Sequence, residues 1–176
     1  AKAWQPGVKG NYRARFEAGG RESVRKIIVG LGSLSRGELA GERLEVALNT
    51  QDQEDEHSCF SDNTHRDAVT NALGIENVWL GQYRRRDGST LQGPSLRDLV
   101  QAKDPAVAER TTRQISQSVA AAREIRAPFD REILGDDNAP GRRRIKTVID
   151  SLVQQSKDLV AAASAIGITQ LTLVNP

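Results

Sequence analysis

The segment 141–167 constrains the fold most. Ile145, Val148, Ile149, Leu152, Leu159, Val160, Ala163 and Ile166 recur in steps of about three and four residues. That spacing lines them along one side of an α-helix and along neither face of a strand. A stripe this long is buried only by helices of similar length, so the chain is expected to be a bundle.

The remaining patterns agree. Val24, Ile27, Ile28 and Leu31 form a shorter stripe, which Gly30 and Gly32 are expected to end. Ser35-Arg36-Gly37-Glu38 has capping-box spacing. It predicts a second helix over 36–50 that carries Ala40, Leu44, Ala47 and Leu48. A third is expected over 63–81, with Val69, Ala72, Leu73 and Leu80 on one side; Ile75, Val78 and Trp79 widen its apolar surface, so it should be covered on two sides. In 83–93, Asp87-Gly88 is a turn signal and predicts a small exposed hairpin. Pro94 ends it, and Ser95-x-x-Asp98 caps a short helix through Ala102. Asp104-Pro105 then opens a helix to Arg126, striped by Val107, Thr111, Ile115, Val119 and Ala122. Residues 127–141 read as a connector holding one short helical turn. The fold class is therefore all-α: an antiparallel helical bundle with a small β-hairpin insertion.

Composition narrows the function. The chain has 176 residues, 38% hydrophobic and 27% charged, which suits a single globular domain with a real core. With 25 basic and 23 acidic residues, the near balance speaks against a nucleic-acid binder. No run approaches the roughly 18 apolar residues of a membrane span. The opening AKAWQPG has neither an initiator Met nor an apolar core, and reads as the start of a mature chain, a cleaved chain or a fragment. One cysteine excludes an internal disulfide. GLGSLSRG (30–37) lacks the Gly-Lys-Ser/Thr ending of a phosphate loop. The basic clusters Arg84–Arg86 and Arg142–Arg144 read as solvated faces.

Chemistry concentrates in 51–67, QDQEDEHSCFSDNTHRD, which holds six acidic residues, both histidines and the only cysteine. Glu54, Asp55, Glu56 and His57 are oxygen and nitrogen donors packed together. On a continuous helix His57 and His65 would share a face roughly 12 Å apart. Reaching one metal ion requires the chain to fold between them, and Ser58–Ser61 is the place for that. The spacing fits neither H-E-x-x-H nor a zinc-finger pattern. Ser61, Asp62, Asn63 and Thr64 place four hydrogen-bond acceptors before a helix, where one suffices for a cap; Thr64-x-x-Asp67 is a further candidate capping box. Cys59 is a candidate nucleophile with His57 or His65 as base. The plainer alternative is a solvated acidic run beside a capped helix start.

The stretch LxxGELAGERLEVALNTQDQEDEHSCFSDNTHRD, followed by NALGIENVWLGQYRRRDGS and GPSLRDLV, closely resembles the C-terminal half of the imelysin family. These are bacterial periplasmic or outer-membrane-anchored proteins that include iron-regulated protein A and the insulin-cleaving metalloproteinase. The resemblance spans essentially the whole chain, residues 1–176, and is most specific in E-D-E-H-S-C-F-S-D-N-T. It implies two helical bundles with a site between them. It also implies that a metal-binding G-x-H-x-x-E lies in an N-terminal half absent from this chain. The positions matching the second wall of that site are Glu54, Glu56, His57, Ser58, Ser61, Asp62, Asn63 and Thr64. Of these, Glu54 and His57 are candidate catalytic groups, and Glu54, Glu56 and His57 candidate metal ligands. Three expectations follow: an iron-related binding or uptake protein using iron, zinc or a haem-related ligand; a metallopeptidase; or a non-catalytic interaction module. The implied partner is the N-terminal half, as a second chain or bundle. The implied location is the periplasm or outer membrane, through an anchor outside this chain.

Overall fold

In a computed structural model, which describes residues 1–171, the chain is helical from 21 to 50 without a break. It begins with a 3₁₀ turn, Lys2–Trp4, and α1, Tyr12–Ala18. Then α2 (Arg21–Ser33) runs into a π-helical segment, Leu34–Glu45, and on into α3 (Val46–Thr50). The expected break at Gly30 and Gly32 is absent, and so is the capping box at Ser35. Ser35 is fully buried and its hydroxyl donates 2.7 Å back to the Leu31 carbonyl, four residues earlier, so it cannot cap a new helix. The wider π turn shows at its end, where the Val46 N–H reaches the Gly41 carbonyl. It brings Leu39, Ala40 and Leu44 all inward.

The next elements follow sequence signals closely. Helix α4 spans Thr64–Leu80 and ends on Gly81, whose φ of 62° is left-handed. A Cβ there would also stand 2.7 Å from the Gly93 and Pro94 carbonyl oxygens. Strands β1 (Gln82–Arg84) and β2 (Thr90–Gln92) form the exposed hairpin, with Tyr83 opposite Leu91. Helix α5 (Leu96–Gln101) is capped by the Ser95 hydroxyl, which accepts from the Asp98 N–H at 2.9 Å. Helix α6 (Pro105–Arg123) is capped by Asp104, which accepts from the Val107 N–H at 3.0 Å. It stops three residues earlier than expected, because Glu124 forms its C-cap and Ile125 turns into the core. The short α7 (Phe129–Glu132) and the long α8 (Pro140–Ala165) complete the chain.

Cross-helix bonds fix the directions. From α6 to α8, Thr111 reaches the Asp158 carbonyl and Gln114 reaches Ser151. From the long helix to α8, Gln155 donates to Ser35, and Arg142 donates to the Leu48 carbonyl. Between α4 and α6, Trp79 pairs with Thr112 and Ser116 with Glu76. In each pair one residue number rises as the other falls, so these neighbours run antiparallel. The core has two parts. One gathers Leu39, Leu44, Ala72, Phe129, Ile145 and Leu152. The other gathers Ile28, Ile75, Trp79, Ile115 and Leu159.

Some facing differs from expectation. On α4 the fully buried line is Ala68, Ala72, Ile75 and Trp79, while Val69, Leu73 and Leu80 flank it half-buried and Val78 is exposed. On α8, Val160 is exposed and Ile166 half-buried. The Arg142–Arg144 run is not a solvated face. Arg142 is buried, Arg144 is in a half-buried ion pair with Glu132, and only Arg143 is exposed.

Candidate functional site

Residues 51–63 join α3 to α4 at one end of the bundle. Gln51 ends the long helix in a left-handed conformation, φ 56°. Its side-chain amide bonds Gly135 twice, donating to the carbonyl at 3.1 Å and accepting from the N–H at 3.0 Å. That clamps the loop to the 127–139 connector. Two 3₁₀ turns follow, Gln53–Asp55 and Cys59–Ser61. Residues 51–58 therefore do not prolong the helix.

The loop folds back over the start of α4. The Ser58 N–H donates to the Thr64 hydroxyl at 3.1 Å. The Ser58 hydroxyl donates to Asp67 Oδ2. His57 Nδ1 meets the same Oδ2 at 3.2 Å. Thr64 and Asp67 are thus committed to the loop, and the expected capping box is not made. Asn63 holds the N-cap position with no side-chain hydrogen bond to the helix. Asp62 lies in the left-handed region at φ 49° and accepts from the Gln53 amide.

Adjacent residues diverge. Glu56 points inward and is buried, at 6% exposure. Neither of its carboxylate oxygens has a hydrogen-bond partner. Burial pushes its carboxyl above the ordinary range; the nearby Thr64 hydroxyl opposes this, and the charges of Asp130 and Asp62 add to it. Asp130, which enters from α7, also has one buried oxygen without a partner. His57 faces outward, its side chain 35% exposed. Glu54 and Ser61 are exposed. His65, in the first turn of α4, keeps a buried Nδ1 without a partner. Phe60 stands 98% exposed on the second turn.

The corner thus brings His57, Ser58, Thr64 and Asp67 together on one side of the loop and Glu56 near Asp62 and Asp130 on the other. It does not bring Glu54, Glu56 and His57 to one point. Among the described residues, no three His, Cys, Asp or Glu side chains converge to hold a metal ion. Cys59 is a half-buried free thiol. The Ser58 hydroxyl turns to Asp67 rather than to the imidazole, so Ser58 lacks the base that a nucleophile needs. Two members of the corner escaped sequence reading. Asp67 was absorbed into a capping pattern, and Asp130 lies too far along the chain for any local signal.

The surroundings frame the corner. Arg43, on the π segment, pairs with Glu38 at 3.2 Å and donates to Asn71 at 3.4 Å, and Asn71 donates to the Asp67 carbonyl at 2.9 Å. A polar line therefore runs from the π segment to the backbone carbonyl of Asp67, the residue behind His57. Among the described residues no helix is long and apolar enough to cross a membrane.

No curated protein matched the chain. The family model described as Imelysin matches residues 1–159, nearly the whole of its 176 residues. The chain belongs to the imelysin family.

Proposed function

We propose that this chain is one wall of a metal-linked binding site, in an iron-related binding or uptake protein of the periplasm or outer membrane, and that a second helical bundle supplies the other wall. Glu56 carries the reading. A buried carboxylate with no well-formed hydrogen bond and only the Thr64 hydroxyl as a nearby donor, beside two further acids, is costly unless a proton or a cation neutralises it. Phe60, 98% exposed on the same loop, would offer an apolar contact to that second bundle.

The residues present fit a metal ion in part. On opposite sides of the loop, Glu56 offers hard oxygen and His57 an imidazole nitrogen, donors that suit iron or zinc, so one ion on this wall would use one of them. They do not amount to a coordination sphere, so further ligands would come from outside this chain. The bound metal would act as cargo or as the anchor of a ligand such as haem. A peptidase reading would need a metal-activated water and a general base. Glu54 is the exposed acid nearest that role, but no observation favours hydrolysis over binding.

The test is metal analysis of the chain together with its second bundle, for wild type, Glu56→Gln and His57→Ala, beside protein-cleavage assays with and without chelator. Metal retained by wild type and lost from at least one of the two variants is the expected result. Equal metal content in all three would refute the reading. Cleavage that a chelator abolishes would favour the peptidase.

A further inference from the structure

His57 and Asp67 are ten positions apart, yet the fold joins them through one atom pair, Nδ1 to Oδ2 at 3.2 Å. A carboxylate oxygen only accepts hydrogen bonds, so Nδ1 must carry the proton. A neutral imidazole has one N–H, and its Nε2 then holds the lone pair. The ring is part-exposed and His57 makes no other side-chain hydrogen bond among the described residues.

We infer that Asp67 is the positioning residue of His57: it fixes the Nδ1–H tautomer, so that Nε2 presents its lone pair outward as a ligand or proton acceptor. The surroundings support this. Asp67 sits in the first turn of α4, where a carboxylate complements the helix dipole. The Ser58 hydroxyl donates to the same Oδ2, and the Ser58 N–H is tied to Thr64. The backbone that carries His57 is therefore pinned on both sides of the carboxylate. A carboxylate behind a histidine in this way sets the ring's orientation and raises its basicity toward a metal. The tautomer stands on this geometry alone; its use toward a cation rests on the metal-linked reading above.

Nitrogen-15 NMR of the imidazoles in the 176-residue chain, at a pH where they are neutral, reads the tautomer directly. His57→Gln assigns the signals, and His65, whose Nδ1 has no hydrogen-bond partner, is the internal reference. Wild type is expected to show His57 as Nδ1–H. Asp67→Ala is expected to return it to the Nε2–H form that an unrestrained imidazole favours. Ser58→Ala, which removes the other donor to Oδ2, is expected to leave the tautomer unchanged. Finding Nε2–H in wild type overturns the inference without recourse to any variant; so does Nδ1–H persisting in a folded Asp67→Ala. Titration with Zn²⁺ alone of the chain together with its second bundle separates the two claims. A loss of about 10- to 100-fold in affinity on Asp67→Ala supports both. An Nδ1–H tautomer in a wild type that binds no Zn²⁺ supports the role of Asp67 and counts against the metal-linked reading.

Discussion

Arg144 grips the buried carboxylate of Glu132 with two parallel bonds, Nε to Oε2 at 2.7 Å and Nη2 to Oε1 at 2.6 Å. The Arg126 N–H adds a third at 3.3 Å. The pair ties α7, which carries Asp130, and the connector to the start of α8. Burial alone would push the Glu132 carboxyl up. The Arg144 hydrogen bonds, the Arg126 N–H and the charges of both arginines outweigh it and hold the carboxyl below its ordinary range. Its pKa is therefore lower folded than unfolded. The stability it contributes is present above the unfolded value and is lost as pH falls through the folded one.

Glu132→Gln should thus cost about 3 kcal/mol at neutral pH, since it leaves a half-buried guanidinium without its anion. Urea unfolding from pH 7 to pH 3 checks this. The variant should show a lower midpoint at pH 7, an unchanged denaturant slope, and a smaller loss of stability on acidification than wild type. Equal acid sensitivity in the two proteins would show that Glu132 is not a source of it.

Glu56 carries the opposite sign. Its carboxyl is raised, so the folded state holds the proton more tightly than the unfolded state does. Stability then falls as pH rises from the unfolded value through the folded one. Glu56→Gln removes the charge and offers amide protons to the neighbouring acids. Without added metal it should stabilise the protein at pH 7, by about 1 kcal/mol, and remove the part of the fall in thermal midpoint that begins as pH rises past the ordinary carboxylate range. The same variant should lose metal in the proposed site. A gain in stability joined to a loss of binding is the mark of a strained functional group. A destabilised variant would show instead that Glu56 is charged and satisfied.

Legibility followed distance along the chain. The Ser95 and Asp104 caps, the turn at Asp87-Gly88 and the extent of α8 rest on contacts within four residues, and all are readable. The continuous helix through Gly30, Gly32 and Gly37 was not. There, burial of Leu39 and Leu44 against α8 outweighs the local weakness of glycine, and Ser35 serves Gln155 rather than a cap. Arg142 looked like surface because its acceptors, the Leu48 and Ile133 carbonyls, are helix-end groups that only the fold brings near. The acidic loop announced itself by composition. Its split into an inward Glu56 and an outward His57 did not, because it depends on Thr64, Asp67 and Asp130.

The Ser35–Gln155 bond is a polar contact inside an apolar seam. Gln155 is 1% exposed and donates to the Ser35 hydroxyl at 2.7 Å. Ser35→Ala removes the acceptor and leaves a buried amide N–H without a partner, at a cost of about 1–3 kcal/mol. Adding Gln155→Leu to Ser35→Ala should restore much of that loss, because the stranded amide is then gone. Chemical denaturation of the two single variants and the double variant measures the coupling. Additive single effects would mean that the bond contributes nothing.

Among the described glycines, Gly141 stands nearest to the backbone of another element. A Cβ there would lie 2.5 Å from the Glu132 carbonyl oxygen and 2.6 Å from its Cα, both backbone atoms that cannot rotate away. Gly141 is in the first turn of α8, and its backbone is helical, so alanine would otherwise be favoured there. The two effects oppose each other. Propensity offers about 1 kcal/mol, whereas the clash forces α7 off α8 and costs about 1–3 kcal/mol or more. The clash also disturbs the Glu132–Arg144 pair, which depends on the same approach. Gly141→Ala should therefore destabilise the chain and reduce its acid sensitivity as Glu132→Gln does. Gly74→Ala, on the exposed side of α4 with open space around it, should stabilise by about 1 kcal/mol. Thermal unfolding of the two variants side by side decides it, and a Gly141→Ala protein as stable as Gly74→Ala would refute the close α7–α8 contact.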